Sequence, residues 1–305
     1  MSCVVCFGSG FVTENYVIDS SSGNNSSTNY SASEKITSSK KISNKSYSSS
    51  SSDENAVLVD GDVSVSMDKV TVSKTGDSDG GDNTSFYGTN SGIIAKGGST
   101  LTIKNSTIKT NAKGANGVFS YGGSATTNNS SNDGTTVNIS DSKITTTKDN
   151  SGGIMTTGGG KMNASNLTIN TSGTSSAAIR TDRGGGTVKV NGGTCTTNGK
   201  GSPSIYSTAD ITVSKAKLVS NVSEGVVIEG KNKVSLNNCT LIDNNTKLNG
   251  QSTTYKNVFL YQSMSGDAAS GKAEFSSKNS SITTKNGDSF YVTNTNACLL
   301  YTSPS

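Results

Sequence analysis

Asp182 and Glu229 are the two carboxylates best placed for chemistry, and Arg180 and Arg183, the only arginines in the chain, flank the first of them. If both acids point out of one sheet two strands apart, their backbones lie about 9.6 Å apart, at roughly 4.8 Å per strand. Inverting glycosidases hold an acid and a base about 6.5–9.5 Å apart, and an arginine beside a carboxylate would also suit a polysaccharide lyase. Thr208 would fall between the two acids, however, and neither His nor Lys adjoins Glu229. Asp182, Glu229 and Arg180 therefore stand as an alternative catalytic reading beside an expectation of no catalysis. The complete lack of histidine excludes His-based triads, most zinc sites and haem ligation by His. Asp77, Asp79 and Asp82 are spaced as in a calcium loop but lack the bidentate Glu of an EF-hand, so the segment reads as a solvated turn and no metal is expected. Cys3 and Cys6 form a lone CxxC with no second pair, and read as incidental thiols. The glycine runs at 158–160 and 184–186 follow strands without opening a helix, which excludes a phosphate loop, and no cofactor is expected.

These side chains need elements to hold them, and the composition restricts which. Ser, Thr, Asn and Gly make up more than half of the chain. Hydrophobic residues are only 30%, too few for an ordinary globule of 305 residues, which would approach half apolar. The net charge of +4 is too small to imply disorder by repulsion or a nucleic-acid partner, and no apolar run is long enough to span a membrane. A repeating architecture is the remaining way to build a core from so little.

The repeat can be counted. An apolar-x-apolar pair is followed five residues later by a further inward residue at Val63-x-Val65…Val70, Leu101-x-Ile103…Ile108, Val137-x-Ile139…Ile144, Met162-x-Ala164…Ile169, Val188-x-Val190…Cys195, Ile211-x-Val213…Leu218 and Val234-x-Leu236…Leu241. Phe275-x-Ser277…Ile282 is a weaker eighth. Between them recurs a small residue before Ile, Val or Phe, as in Gly92-Ile93, Gly117-Val118, Gly153-Ile154, Ala178-Ile179 and Ser204-Ile205. Each unit holds three short strands with period-two alternation, and no stretch has a helical period. The spacing predicts an all-β, right-handed, three-sheet parallel β-helix of about eight coils. Thr110, Thr146, Thr171, Thr197 and Ser220 are expected to stack as a hydroxyl ladder. Asn105, Asp141, Asn166 and Asn238 are expected at a turn.

The motifs LTIKNSTIKT, ITVSKAKLVS and VSLNNCTLID carry a resemblance to right-handed parallel β-helix repeat proteins. Over residues 56–297 the chain resembles in particular the Ser/Thr/Asn-rich adhesin-like surface proteins of anaerobic gut bacteria. The resemblance implies a stalk or adhesin at the bacterial surface or outside the cell, with polysaccharide or a cell-surface glycan as partner. The same fold also carries pectate-lyase-like enzymes, phage tailspikes and passenger domains.

Alternation gives the Gly-Ile strands an outward column of Ile94, Phe119, Met155, Arg180, Tyr206, Val227, Phe259 and Tyr291, with a second of Lys96, Tyr121, Thr157, Asp182, Thr208, Glu229, Tyr261 and Thr293. The other strands turn out Lys69, Thr107, Lys143, Thr168, Thr194, Lys217 and Thr240. Insertions at 76–91 and 245–255 precede the apolar stripe and those at 121–135 and 262–271 follow it. The stripe is therefore either a walled ligand groove, whose face would comprise Ile94, Phe119, Tyr121, Met155, Arg180, Tyr206, Val227, Phe259, Tyr261 and Tyr291, or is covered by those loops, or meets another protein.

The ends read differently. Residues 1–55 form a Ser-rich segment, partly disordered, in which Phe11, Val12, Tyr16, Val17 and Ile18 could supply a strand. Residues 298–305, CLLYTSPS, match the translation of a transposase-type sequencing adapter. The native sequence is thus expected to run to about Ala297 and to continue into further coils, leaving Phe275, Ile282, Phe290 and Val292 uncovered. Cys195 and Cys239 are expected to be free and mostly buried.

Overall fold

The computed structural model describes residues 28–79, 81–124, 132–250, 252–263, 265 and 267–302, and the backbone alone of 2–7. Phe11, Val12, Tyr16, Val17 and Ile18 lie outside the described residues, as do the side chains of Cys3 and Cys6. The chain is a parallel β-helix. Ten parallel strands stack as sheet I, from Ser31–Ile36 to Asp288–Thr293. Each coil continues into a strand of sheet II and then, in nine coils, one of sheet III. In coils 5 and 6 the last two strands are continuous, Gly160–Thr171 and Gly186–Thr197, so sheets II and III join at that corner. Five-residue Asp82–Phe86 is the one helix among the described residues and lies in the 76–91 insertion. No helix among them is long and apolar enough to cross a membrane.

The inward columns follow from period two. Leu101, Val137, Met162, Val188, Ile211, Val234 and Phe275 stack in sheet II, and Ile108, Ile144, Ile169, Cys195, Leu218, Leu241 and Ile282 in sheet III. Nearly all are buried, each contributing about 1.5–3 kcal/mol relative to exposure. One register differs from the spacing argument. Val65, Met67 and Val72, not Val63, Val65 and Val70, align with Leu101, Ile103 and Ile108. Lys69 consequently leaves the outward column, where Thr71 stands opposite Thr107.

Lys69 instead sits in the turn that sets the five-residue step. Between sheets II and III two residues make the corner, between separate strands in seven coils and within the continuous strands of coils 5 and 6, and the first has positive φ in all nine: Asn44, Lys69, Asn105, Asp141, Asn166, Gly192, Lys215, Asn238 and Asn279. Left-handed backbone is tolerated best by Gly, Asn and Asp, which explains the choice at seven of the nine. The turn side chains also bond along the stack, as Asn105 Nδ2 donates to Asp68 Oδ1 at 2.7 Å and Asn166 Nδ2 to Asp141 Oδ1 at 3.1 Å.

The hydroxyl ladder is present and longer than expected. Ser49, Lys74, Thr110, Thr146, Thr171, Thr197, Ser220 and Asp243 share one register and are all buried. Three of its members donate to the turn that follows, Thr110 Oγ1 to Ala115 O at 2.8 Å, Thr146 Oγ1 to Ser151 O at 2.5 Å and Ser220 Oγ to Ser223 O at 2.8 Å, while Thr197 Oγ1 donates to Ser220 Oγ at 3.2 Å and Thr171 Oγ1 is buried without a partner. Lys74 Nζ also donates, to Gly76 O at 2.5 Å and Ser51 O at 2.8 Å. Burial lowers its pKa to about 8. Asp243 differs in chemistry, its Oδ1 accepting from Asn245 N at 3.2 Å. Its Oδ2 is buried without a partner, and burial raises its pKa to about 7.

Two further coils lie beyond the eight legible units. Ser31–Ile36, Lys40–Ser43 and Ser46–Ser49 form a complete coil inside the segment expected to be a partly disordered linker. It needs only Ile36, Ile42 and Tyr47 to face the core, because coil 2 supplies the rest of the contact. At the other end, Asn296–Thr302 pairs in parallel with Lys272–Lys278 and antiparallel with Ser2–Phe7. Phe275 lies opposite Leu299 and is buried, contrary to the expectation that it would be uncovered. Ile282 is only partly buried because no tenth strand of sheet III follows it among the described residues, and Val292 is partly buried and Phe290 37% exposed because Asp288–Thr293 is the last described strand of sheet I. Cys195 and Cys239 are free and buried, and burial raises both thiol pKa values, that of Cys195 to about 12.

Candidate ligand groove

The outer face of sheet I has the expected register. Leu58, Ile94, Phe119, Met155, Arg180, Tyr206, Val227, Phe259 and Tyr291 stand in one column. The column divides into two environments. Leu58, Ile94, Phe119 and Met155 are fully buried and form a second apolar core with Tyr30, Ala32 and Tyr121 packed against it. The insertion at 76–91 covers them. Phe86 is buried, Thr157 Oγ1 donates to Phe86 O at 2.6 Å, Tyr30 OH donates to Tyr87 O at 2.7 Å, and the Tyr87 ring meets Tyr121 edge-on at 5.7 Å. Gly88 passes so close that a Cβ there would lie 2.8 Å from the Phe119 ring and 2.9 Å from Ile94. Ile94, Phe119 and Met155 are therefore excluded from the ligand face expected of them. Their function is to seat the lid.

From coil 6 onward the face opens. Arg180, Tyr206, Phe259, Tyr261 and Tyr291 are only partly buried, and Val227 retains 6% exposure. A cavity of about 510 Å³ is lined by Tyr206, Phe259, Tyr261, Tyr291, Lys256 and Asn249, among others. A second, of about 410 Å³, is lined by Arg180, Asp182, Phe86 and Asp82. The two share Gly201, Pro203, Tyr206, Asn249 and Tyr261, and so form one groove. The Phe259 and Tyr261 rings stack at 4.7 Å, and Tyr291 leans on Phe259 at 5.8 Å. Lys256 Nζ lies 4.3 Å from the Phe259 centroid and 5.0 Å from that of Tyr291, and donates to Ser252 Oγ. Burial lowers its pKa.

The charged groups are held internally. Arg180 Nη2 donates to Asp182 Oδ2 at 2.9 Å, and the Arg183 backbone N–H to Asp182 Oδ1 at 3.0 Å. Burial nevertheless pushes Asp182 up to about 6, with Arg180 opposing the rise and Asp267 adding to it. Arg183 forks onto Asp267 at 2.7 and 3.1 Å while lying 4.1 Å over the Phe86 ring, so it ties the 262–271 insertion to the lid. Glu229 is 1% exposed and enclosed by hydroxyls: those of Tyr206 and Ser263, Tyr261 OH at 3.0 Å and Ser265 Oγ at 3.4 Å. Burial, together with Glu229 itself, raises the pKa of both tyrosines.

The two candidate catalytic carboxylates thus occupy coils 6 and 8 as the repeat required, but in different settings. Asp182 lines the groove, whereas Glu229 is shut beneath Tyr206 and Tyr261. Thr208, between them, is buried and donates to Asp182 O at 2.9 Å. Asp77, Asp79 and Asp82 do not converge, and no group of three metal-ligating acids, thiols or imidazoles occurs among the described residues. Asp77 accepts from Lys113 N at 2.8 Å and Lys148 Nζ at 3.1 Å, which lower its pKa, and Asp79 accepts from Gly81 N at 2.9 Å. Sequence reasoning missed Asn249, Pro203, Lys256, Asp267 and Phe86. All but Pro203 and Lys256 come from insertions, where no periodicity assigns a direction.

Compared with protein-family models, curated protein sequences and solved structures, the chain gives no match.

Proposed function

We propose that the protein is a non-catalytic β-solenoid of the bacterial cell surface, a stalk or adhesin, that binds glycan in the groove of coils 6–10. The observation that carries this reading is the open run of Tyr206, Tyr261, Phe259 and Tyr291 between the 245–255 and 262–271 insertions, beside a face otherwise closed. Partly exposed aromatic rings with polar neighbours suit a ligand that is apolar on its ring faces and polar at its edges, as a sugar is. Surface location and adhesion rest on the resemblance of the repeats. Affinity electrophoresis against a polysaccharide panel tests the reading: retardation by at least one polysaccharide, lost on Tyr291→Ala, is expected. Chain cleavage abolished by Asp182→Asn would replace it with the lyase or hydrolase alternative, for which Asp182 is in the groove and Glu229 is enclosed.

A further inference from the structure

We infer that the groove selects an extended, uncharged polysaccharide lying along the solenoid axis and discriminates against acidic ones. The inference rests on the glycan reading and adds the ligand's charge and direction.

Charge comes first. Four acids, Asp82, Asp182, Asp267 and Glu224, line the two halves of the groove, against two cations, Arg180 and Lys256. Neither cation is available to a ligand carboxylate or sulfate. Arg180 is paired through Nη2 with Asp182 at 2.9 Å, and its Nη1 is buried without a hydrogen-bond partner. Lys256 lies over two aromatic rings with Ser252 as acceptor. Arg183, over the Phe86 ring beside the groove, is forked onto Asp267. A polyanion entering here would meet one cation without an ion-pair partner, Lys256, which is only 3% exposed, and, with the Arg180–Asp182 and Arg183–Asp267 pairs set aside, two further acids, Asp82 and Glu224; like charges in a partly desolvated cleft repel. The groups left for a ligand are uncharged: the amides of Asn249 and Asn294, the Thr253 hydroxyl and the exposed portions of the aromatic rings. A side-chain amide offers both donor and acceptor, which fits sugar hydroxyls and has no preference for anions.

Direction follows from register. The groove floor is the column Arg180, Tyr206, Val227, Phe259, Tyr291, one residue per coil. Five coils span four steps, about 19 Å at roughly 4.8 Å each. A floor of that length and one residue's width accommodates several rings of a chain parallel to the axis. The insertions at 245–255 and 262–271 flank it on either side, and so favour an extended strand over a branched cluster.

The test uses the full chain with soluble mannan and mixed-linkage β-glucan as neutral probes and polygalacturonate and heparin as acidic ones, by calorimetry at 20 and 500 mM NaCl. Binding to a neutral probe that changes less than twofold between the two salts is expected, with at least tenfold weakening in Tyr291→Ala and near-full retention in Tyr291→Phe. Thermal melts of each variant establish that it folds. Preferential binding of polygalacturonate or heparin, collapsing at high salt, overturns the inference and leaves the glycan reading standing. Failure to bind all four probes removes both.

Discussion

Coils 2–5 and coils 6–10 carry the same outward column on the same sheet, yet one half is a core and the other a groove. The backbone does not distinguish them, since the strands remain in register throughout. What differs is side-chain chemistry and the loop beside it. Leu58, Ile94, Phe119 and Met155 can only be stabilised by removal from water, and the 76–91 insertion brings Gly88 against Phe119 and Ile94 and Tyr87 against Tyr121 to cover them. Arg180 and Tyr206 have polar tips that Asp182 and Glu229 satisfy within the protein, and Tyr291 has one that water or a ligand can satisfy, so that half tolerates an open face. A solenoid of nearly uniform coils can thus be given regional function by one insertion and a drift in a single column.

The sharpest way to break this comparison is to truncate one aromatic in each half. Phe119→Ala should cost about 3–5 kcal/mol in urea unfolding, as for a buried core ring. Tyr291→Ala should cost about 1 kcal/mol or less, as an edge contact of a partly exposed side chain, while removing ligand binding. Equal losses would mean that the two halves are equally packed.

The hydroxyl ladder offers a second contrast, in pH. Lys74 in coil 2 and Asp243 in coil 8 occupy one register with opposite charge. Asp243 is raised from 3.8 to about 7, so the folded state holds the proton more tightly. Its stabilisation is complete below about pH 3.8 and is lost as pH rises to about 7. Lys74 is lowered from 10.5 to about 8, so its contribution is complete above about 10.5 and is lost as pH falls through about 8. Asp243→Asn should flatten the acid-side dependence of the melting temperature by several degrees, and Lys74→Met the alkaline side. Hydrogen exchange should place the first effect in coils 8 and 9 and the second in coils 1 to 3.

The repeat was legible because alternation and the five-residue step survive a composition of Ser, Thr and Asn. Its first unit slipped by two residues because Val63, Val65 and Met67 alternate and both Val65 to Val70 and Met67 to Val72 keep the five-residue step, and because Lys69 fills a turn that Asn marks elsewhere. The Ser-rich coil was hidden by having only Ile36, Ile42 and Tyr47 as signals. The outward column of the site was readable residue by residue. Its closure over coils 2–5 was not, since it depends on where an aperiodic insertion places Tyr87 and Gly88. Enclosure of Glu229 was equally hidden, because Tyr206 and Tyr261 read as groove walls and turn out also to be its hydrogen-bond donors.

Smaller effects refine the picture. Asn105→Ala and Asn238→Ala place a less tolerant residue at φ near +50° and should each cost about 1–2 kcal/mol, alike in both halves. A twofold difference between them would show that the back of the solenoid is regional too. Thr157→Val removes the bond to Phe86 O and should cost about 1 kcal/mol, with faster amide exchange confined to residues 82–89.

The invariant two-residue turn between sheets II and III has a consequence for how such a chain can diversify. Nine left-handed residues, most of them bonded into the stack, leave that edge no slack to accept added length. All length variation falls at the other two corners, which border sheet I. New loops, whether arising by mutation or grafted by design, therefore meet the same face whichever coil receives them, and the molecule behaves as a rack with one writable side.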